Sequence, residues 1–217
     1  MSLQDRKAFY GRRQGRVLKQ NATRLMVDLL PQYQFDGNQL NQYQQHILEI
    51  GFGHGEHIYQ CAKDKPDCYF LGCEAFNNGV SKLLAMLHDN PLPNLQIYHG
   101  DAIEILKELP KNIWQEIFLL YPDPWPKTRH HKRRFVNQPH LKILYQLLHE
   151  NGRLTMASDH EDYVNWIIFQ IQQFHYFRWL AKDASDWRNP PRDWVTTHYE
   201  QKAKKHQRNC YYLQYSK

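Results

Sequence analysis

The 217-residue chain reads as an α/β protein, a doubly wound, mostly parallel Rossmann-like sheet that closes on an antiparallel C-terminal strand. Three observations predict this. Short apolar runs of strand length alternate with segments whose apolar residues recur every three to four positions. A glycine-rich turn, Gly51-Phe52-Gly53-His54-Gly55, follows the first confident run. Carboxylates then stand at the ends of successive runs, where open α/β sheets bind their ligands.

Residues 1–20 are predicted to be a basic arm. Arg6, Lys7, Arg12, Arg13, Arg16 and Lys19 face one acid, Asp5, and Gly11 and Gly15 break any helix. Phe9 and Tyr10 interleave aromatics with this charge, so the arm is either a segment that a phosphate backbone orders or an ordinary flexible terminus. Residues 21–217 show no repeat and no linker and are expected to form one domain. Leu25, Met26, Leu29 and Leu30 predict a helix over 21–33, followed by a turn at Asp36-Gly37-Asn38.

The first strand, 46–51, runs into the glycine turn and then a helix to about Lys63. Glu56 stands where the dinucleotide fingerprint requires its third glycine, which disfavours NAD. Residues 68–74 form the second strand and end on Glu74, where a carboxylate can accept both hydroxyls of a ribose. A helix over 78–87 leads to a third strand, 95–99. Asp101 then either accepts from an adenine amino group or caps the helix over 103–109.

The fourth strand, 117–121, delivers the stretch that carries most information, 118–135. Pro122, Pro124 and Pro126 stop the strand and stiffen the loop around one carboxylate, Asp123, and one large aromatic, Trp125. Lys127, Arg129, Lys132, Arg133 and Arg134 follow with fixed charge, and His130 and His131 add partial charge. A stiff acid-aromatic loop beside a cationic run suits a polyanion whose base is presented to chemistry. Further on, Pro139 opens a helix through Leu141, Leu144, Tyr145 and Leu148, and 152–157 form a fifth strand. Asp159 is then a site acid or the N-cap of a helix carrying Val164, Ile167, Ile168 and Ile171. A sixth strand over 174–180, an irregular stretch over 183–197 that is either a site-covering or a packed surface loop, a basic helix begun by a Thr197–Glu200 capping box, and an alternating strand over 210–215 complete the chain.

The net charge is +6, the pI about 9.0 and the mean hydropathy −0.78. Basic clusters at the arm, at 127–134 and at Lys202, Lys204, Lys205 and Arg208 favour a nucleic-acid partner over a small anionic metabolite. The four cysteines form no C-x-x-C pair and the thirteen histidines no zinc-protease motif, so no metal site is expected. There is no leader and no long apolar run, so a cytoplasmic protein without a membrane partner is expected. No obligate protein partner is expected either, and monomer and homodimer both remain open.

The spacing Glu49-x-Gly51-x-Gly53-x-Gly55, with Glu74 and Asp101, resembles class I S-adenosylmethionine-dependent methyltransferases. The stretch 118–135 is similar to the signature of bacterial tRNA (guanine-N7-)-methyltransferases, as are Arg12-Arg13-Gln14-Gly15-Arg16, Ser158-Asp159-x-Glu161 and Thr197-x-Tyr199-Glu200. The chain departs from that pattern at His57, where many relatives carry Phe, and at Leu18, where Thr is frequent. The resemblance implies S-adenosyl-L-methionine as cofactor, lined by Glu49, Gly51, Gly53, Glu74, Asp101 and Asp123. It implies tRNA as partner, met by Lys127, Arg129, Lys132, Arg133, Arg134, Asp159, Thr197 and Glu200, and a variable-loop guanosine as the modified base.

Guanine N7 carries a lone pair and no proton, so methylation there needs positioning and charge stabilisation rather than a general base. Asp123 is the expected catalytic group, with Asp159 or Glu200 reading the guanine edge and Trp125 packing on the base or stiffening the loop. Two rival readings exist: an adenine N6-methyltransferase, and an RNA-binding chaperone with a vestigial cofactor fold. In the first, a second proline would be expected where Trp125 stands; against the second, all four cofactor-side acids are present.

Overall fold

The computed structural model describes residues 11, 13 and 15–217; most of the arm, including Arg6, Lys7 and Arg12, lies outside the described residues. The elements run α1 (Gln20–Asp28), α2 (Leu30–Tyr33), β1 (Gln45–Ile50), α3 (Glu56–Asp64), β2 (Cys68–Glu74), α4 (Asn77–Asp89) and β3 (Leu95–His99). They continue as α5 (Ala102–Leu106), β4 (Trp114–Leu120), α6 (Gln138–Leu147), β5 (Leu148–Ser158), α7 (Glu161–Phe174), β6 (Arg178–Trp179), α8 (Ser185–Arg188), α9 (His198–Lys205) and β7 (Tyr211–Ser216).

All seven strands join one sheet in the order β3-β2-β1-β4-β5-β7-β6. The pairs from β3 to β5 are parallel, and β7 lies antiparallel between β5 and β6. The expected doubly wound fold with an antiparallel last strand is what the chain adopts. Strand order reverses between β1 and β4, which places a crevice over their C-terminal ends.

Alternation along the strands splits the core in two. Leu48, Ile50, Leu71, Ile117, Leu119 and Met156 pack with Leu106, Leu141, Leu144 and Ile167 on one face. Ile47, Phe70, Phe118, Leu120 and Ala157 pack with Leu25, Ile58, Leu83 and Leu84 on the other. Both faces are covered by helices, so the central strands read as near-continuous apolar runs.

Three elements differ from expectation. The helix expected over 21–33 is two: Leu29 closes α1, and Pro31, which has no N–H to donate, sits in the first turn of α2. The strand expected over 174–180 shrinks to Arg178–Trp179, because α7 runs on through Phe174 and stops at His175, whose φ is +63°. The aromatics that suggested a strand instead form a cluster in which Tyr145 meets Phe174, Tyr176 and Phe177 at ring separations of 5.4–5.9 Å. Leu148, expected to end α6, begins β5, which is longer than predicted.

The described part of the arm docks onto the start of α4. Asn77 N–H donates to Arg13 C=O at 3.0 Å, Gly15 N–H to Asn78 Oδ1 at 3.1 Å and Asn78 Nδ2 to Arg16 C=O at 2.9 Å. No described helix is long and apolar enough to cross a membrane.

Candidate nucleic-acid and cofactor site

The turn after β1 bends through three left-handed glycines, Gly51, Gly53 and Gly55, with φ of +71°, +59° and +85°. A Cβ at Gly51 would meet nothing within 4 Å, so the turn opens onto free space there. Behind it, a Cβ at Gly79 would stand 2.1 Å from Gly53 O, which shows how closely α4 approaches the turn.

Glu74, at the end of β2, secures this turn. Its Oε2 accepts from Gly53 N–H at 2.8 Å and its Oε1 from the N–H groups of Ala75 and Phe76, each at 2.8 Å. Burial raises its pKa more than these bonds lower it, and the Asp123 carboxylate adds to the rise. Glu74 ends β2 and Asp123 follows β4, so both stand at the edge where these parallel strands end. Asp101, after β3, caps α5 by accepting from Ile103 N–H at 3.0 Å, so the capping role is real and half-buries the carboxylate at the same edge.

Glu49 differs in kind. It is 2% exposed, and its Oε2 pairs with His57 Nδ1 at 2.7 Å. Burial pushes the His57 imidazole down, but the Glu49 carboxylate together with Cys61 lifts it to about 10. Glu49 therefore sits beneath the turn as half of a buried ion pair, with the His57 ring against Phe118 and Trp194.

The loop after β4 is held in costly backbone conformations: Tyr121 and Trp125 have φ of +51° and +44°. Asp123 between them is exposed. The basic run, expected as loop, coils into a 3-10 helix over Thr128–Arg133. It leaves Lys127, Arg129 and Lys132 exposed, and desolvation, with the crowding of cations beside it, lowers the His130 pKa. Arg133 lies over Trp125, 4.9 Å from the ring centroid, and the His130 ring meets Trp125 edge-on at 5.7 Å. Trp125 thus packs against its own basic run. Arg134, expected with the rest of the run to meet RNA, is 2% exposed and faces inward.

Asp159, after β5, does not cap α7, whose N-cap is His160. Its Oδ2 pairs instead with Arg208 Nη1 at 2.9 Å, near the chain's other end. Thr197 caps α9 by accepting from Glu200 N–H at 3.1 Å. The reciprocal half of the expected box is absent, because the Glu200 carboxylate turns inward. It accepts from Trp194 Nε1 at 2.6 Å and Tyr212 OH at 2.9 Å and pairs with Lys204 Nζ at 2.6 Å. Glu200 is fully buried and pins the covering segment: a buried carboxylate needs several donors, and Trp194, Tyr212 and Lys204 supply them.

Sequence reasoning named Tyr199 only inside a motif and missed its place. A Cβ at Gly53 would stand 3.0 Å from Tyr199 Cε2, so this ring lies over the glycine turn. No local signal marks such a contact between distant segments. His54, Glu56 and His198 also gather there, with one ligand atom from each within 4.8 Å of the others. The Lys82 ammonium lies 3.2 Å from His54 Nδ1. Two surface concavities of about 650 and 630 Å³, beside Gln42–Gln45 and beside Leu180–Lys182, lie away from these strand ends and bring none of these acids together.

A family model described as "Putative methyltransferase" matches residues 43–213. The tRNA (guanine-N(7)-)-methyltransferase of Chelativorans sp. is 42% identical over 95% of this chain and 93% of its own length. That of Agrobacterium fabrum is 39% identical over 95% and 93% respectively. Among solved structures, the 16S rRNA methyltransferase KamB superposes with a TM-score of 0.57 at 14% identity, over 84% of this chain and 94% of that one. An S-adenosylmethionine-dependent O-methyltransferase from Thermotoga maritima superposes at 0.52 and 16% identity, over 95% and 67%. These two likenesses are of fold.

Proposed function

The chain belongs to the family of tRNA (guanine-N(7)-)-methyltransferases, and from that premise we propose that it methylates N7 of a guanosine in the tRNA variable loop, using S-adenosylmethionine, in the cytosol. The observation that carries the proposal is the convergence of Glu74, Asp101 and Asp123 on strand ends around the open glycine turn, beside an exposed cationic 3-10 helix.

The residues present fit S-adenosylmethionine. The left-handed Gly51 corner opens onto free space, and the carboxylates at the β2 and β3 ends each keep acceptor capacity beyond their backbone bonds. Glu74 would take the ribose hydroxyls and Asp101 the adenine amino group. When bound, the cofactor supplies a methyl group activated by an adjacent sulfonium.

Guanine N7 has no proton to lose, so the chain's own work is orientation, exclusion of water and charge stabilisation. Positive charge passes to the purine as the bond forms. Asp123, on a rigid exposed loop, offers the compensating carboxylate. Lys127, Arg129 and Lys132 present their cations outward to the phosphate backbone. Tyr199 and the segment pinned by Glu200 cover the turn from the other side.

The test incubates the protein with unmodified tRNA and methyl-labelled S-adenosylmethionine, then digests the RNA and identifies the labelled nucleoside and its position. N7-methylguanosine in the variable loop is expected. N6-methyladenosine would overturn the base assignment, and label in another part of the tRNA would overturn the site within it.

A further inference from the structure

We propose that Arg134, although it belongs to the cationic run, is a positioning residue for the Asp123 loop and makes no phosphate contact. Its guanidinium bridges the loop after β4 and the first turn of α7. Nε donates to the Pro124 carbonyl at 2.9 Å, one residue beyond Asp123. Nη2 donates to the Asp162 carboxylate in the first turn of α7. The same group lies over the rings of Tyr163 and Trp166, at 5.3 and 5.1 Å from their centroids. Trp166 is itself fixed by donating Nε1–H to Val136 O at 2.7 Å.

The arrangement answers a physical need. The Asp123 loop has left-handed φ at Tyr121 and Trp125, conformations that cost free energy unless the surroundings impose them. A planar fork with directional donors can hold a carbonyl and a carboxylate at once while stacking on aromatic rings; an ammonium cannot. Arg134 therefore staples the β4 loop to α7. Lys127, Arg129 and Lys132, all exposed, remain as the outward-facing cations of the run.

The inference rests on the reading that Asp123 serves methyl transfer. Its test compares Arg134→Lys and Asp162→Asn with Lys132→Ala in the full chain, using tRNA and S-adenosylmethionine. Measured for each are kcat, KM for tRNA, melting temperature and the salt dependence of tRNA affinity. For Arg134→Lys and Asp162→Asn, kcat should fall roughly tenfold or more, while the slope of log affinity against log salt stays that of the parent. For Lys132→Ala that slope should become shallower by about 0.7–0.9.

If Arg134→Lys shallows the slope as Lys132→Ala does, Arg134 is a phosphate contact and the proposal fails. Unchanged kcat in Asp162→Asn, whose substitution lies on an exposed side chain, overturns the staple even if Arg134→Lys folds poorly. Near-normal turnover in Asp123→Ala would instead remove the reading beneath it, and the slopes would still decide whether Arg134 meets phosphate.

Discussion

Asp123 and His57 show how differently single residues serve one crevice. Asp123 is exposed on a loop that other residues hold, and under the proposed reaction its carboxylate offsets the charge that passes to the base. Asp123→Ala should lower kcat by about 10²–10³; near-normal turnover would dismiss it from the reaction. His57 is the reverse, since its imidazolium is buried against Glu49. Its folded pKa of about 10 exceeds the ordinary 6.5. The pair's stabilisation is therefore complete below about pH 6.5 and is lost as pH rises through about 10. Melting temperature should fall across that window. In His57→Phe the buried carboxylate loses its partner, at a cost on the order of 3–5 kcal/mol. Adding Glu49→Gln should recover much of this and flatten the pH dependence; a double variant as pH-sensitive as the parent would contradict the account.

At the scale of elements, the covering segment around α9 depends on a buried carboxylate rather than on helix propensity. Glu200 collects Trp194, Tyr212 and Lys204, and Trp194 in turn meets the Tyr212 ring at 5.0 Å and His57 at 5.5 Å. Glu200→Ala leaves the buried Tyr212 hydroxyl and the half-buried Trp194 indole N–H without their acceptor, and should destabilise by roughly 2–5 kcal/mol. Amide exchange should rise first across 194–205, the stretch it pins, before the rest of the sheet. Uniform exchange across the molecule would show that α9 is held by something else. The α7–β6 boundary teaches a related point. Phe174, Tyr176 and Phe177 have strand-like composition, yet their rings are satisfied by Tyr145 around a helix end, because tertiary packing overrides a weak local preference.

For the whole molecule, charge distribution governs the encounter with tRNA. The excess of +6 is concentrated in clusters, of which the 3-10 helix presents Lys127, Arg129 and Lys132 outward. Each cation that displaces a condensed counterion adds to the salt slope. The triple replacement of these three by Ala should reduce its magnitude by about 2–3. An unchanged slope would move the phosphate track to another face.

The sequence by itself determined the sheet, most of its strands and the glycine turn. Those features are local: alternation over five or six residues marks a strand, and only glycine accepts the left-handed corner at Gly51, Gly53 and Gly55 without strain. It also carried the family, through motifs spread along the chain. The tertiary structure decided which members of each motif face outward. Arg134 and Lys132 are two apart in one cationic run, and Glu200 and Tyr199 adjoin in another motif, yet one of each pair is buried and the other exposed. Burial is set by partners far along the chain, Asp162 and Trp166 for Arg134, Trp194 and Tyr212 for Glu200. A charged side chain enters the interior only where such partners satisfy it, and no run of neighbouring residues records where they will stand.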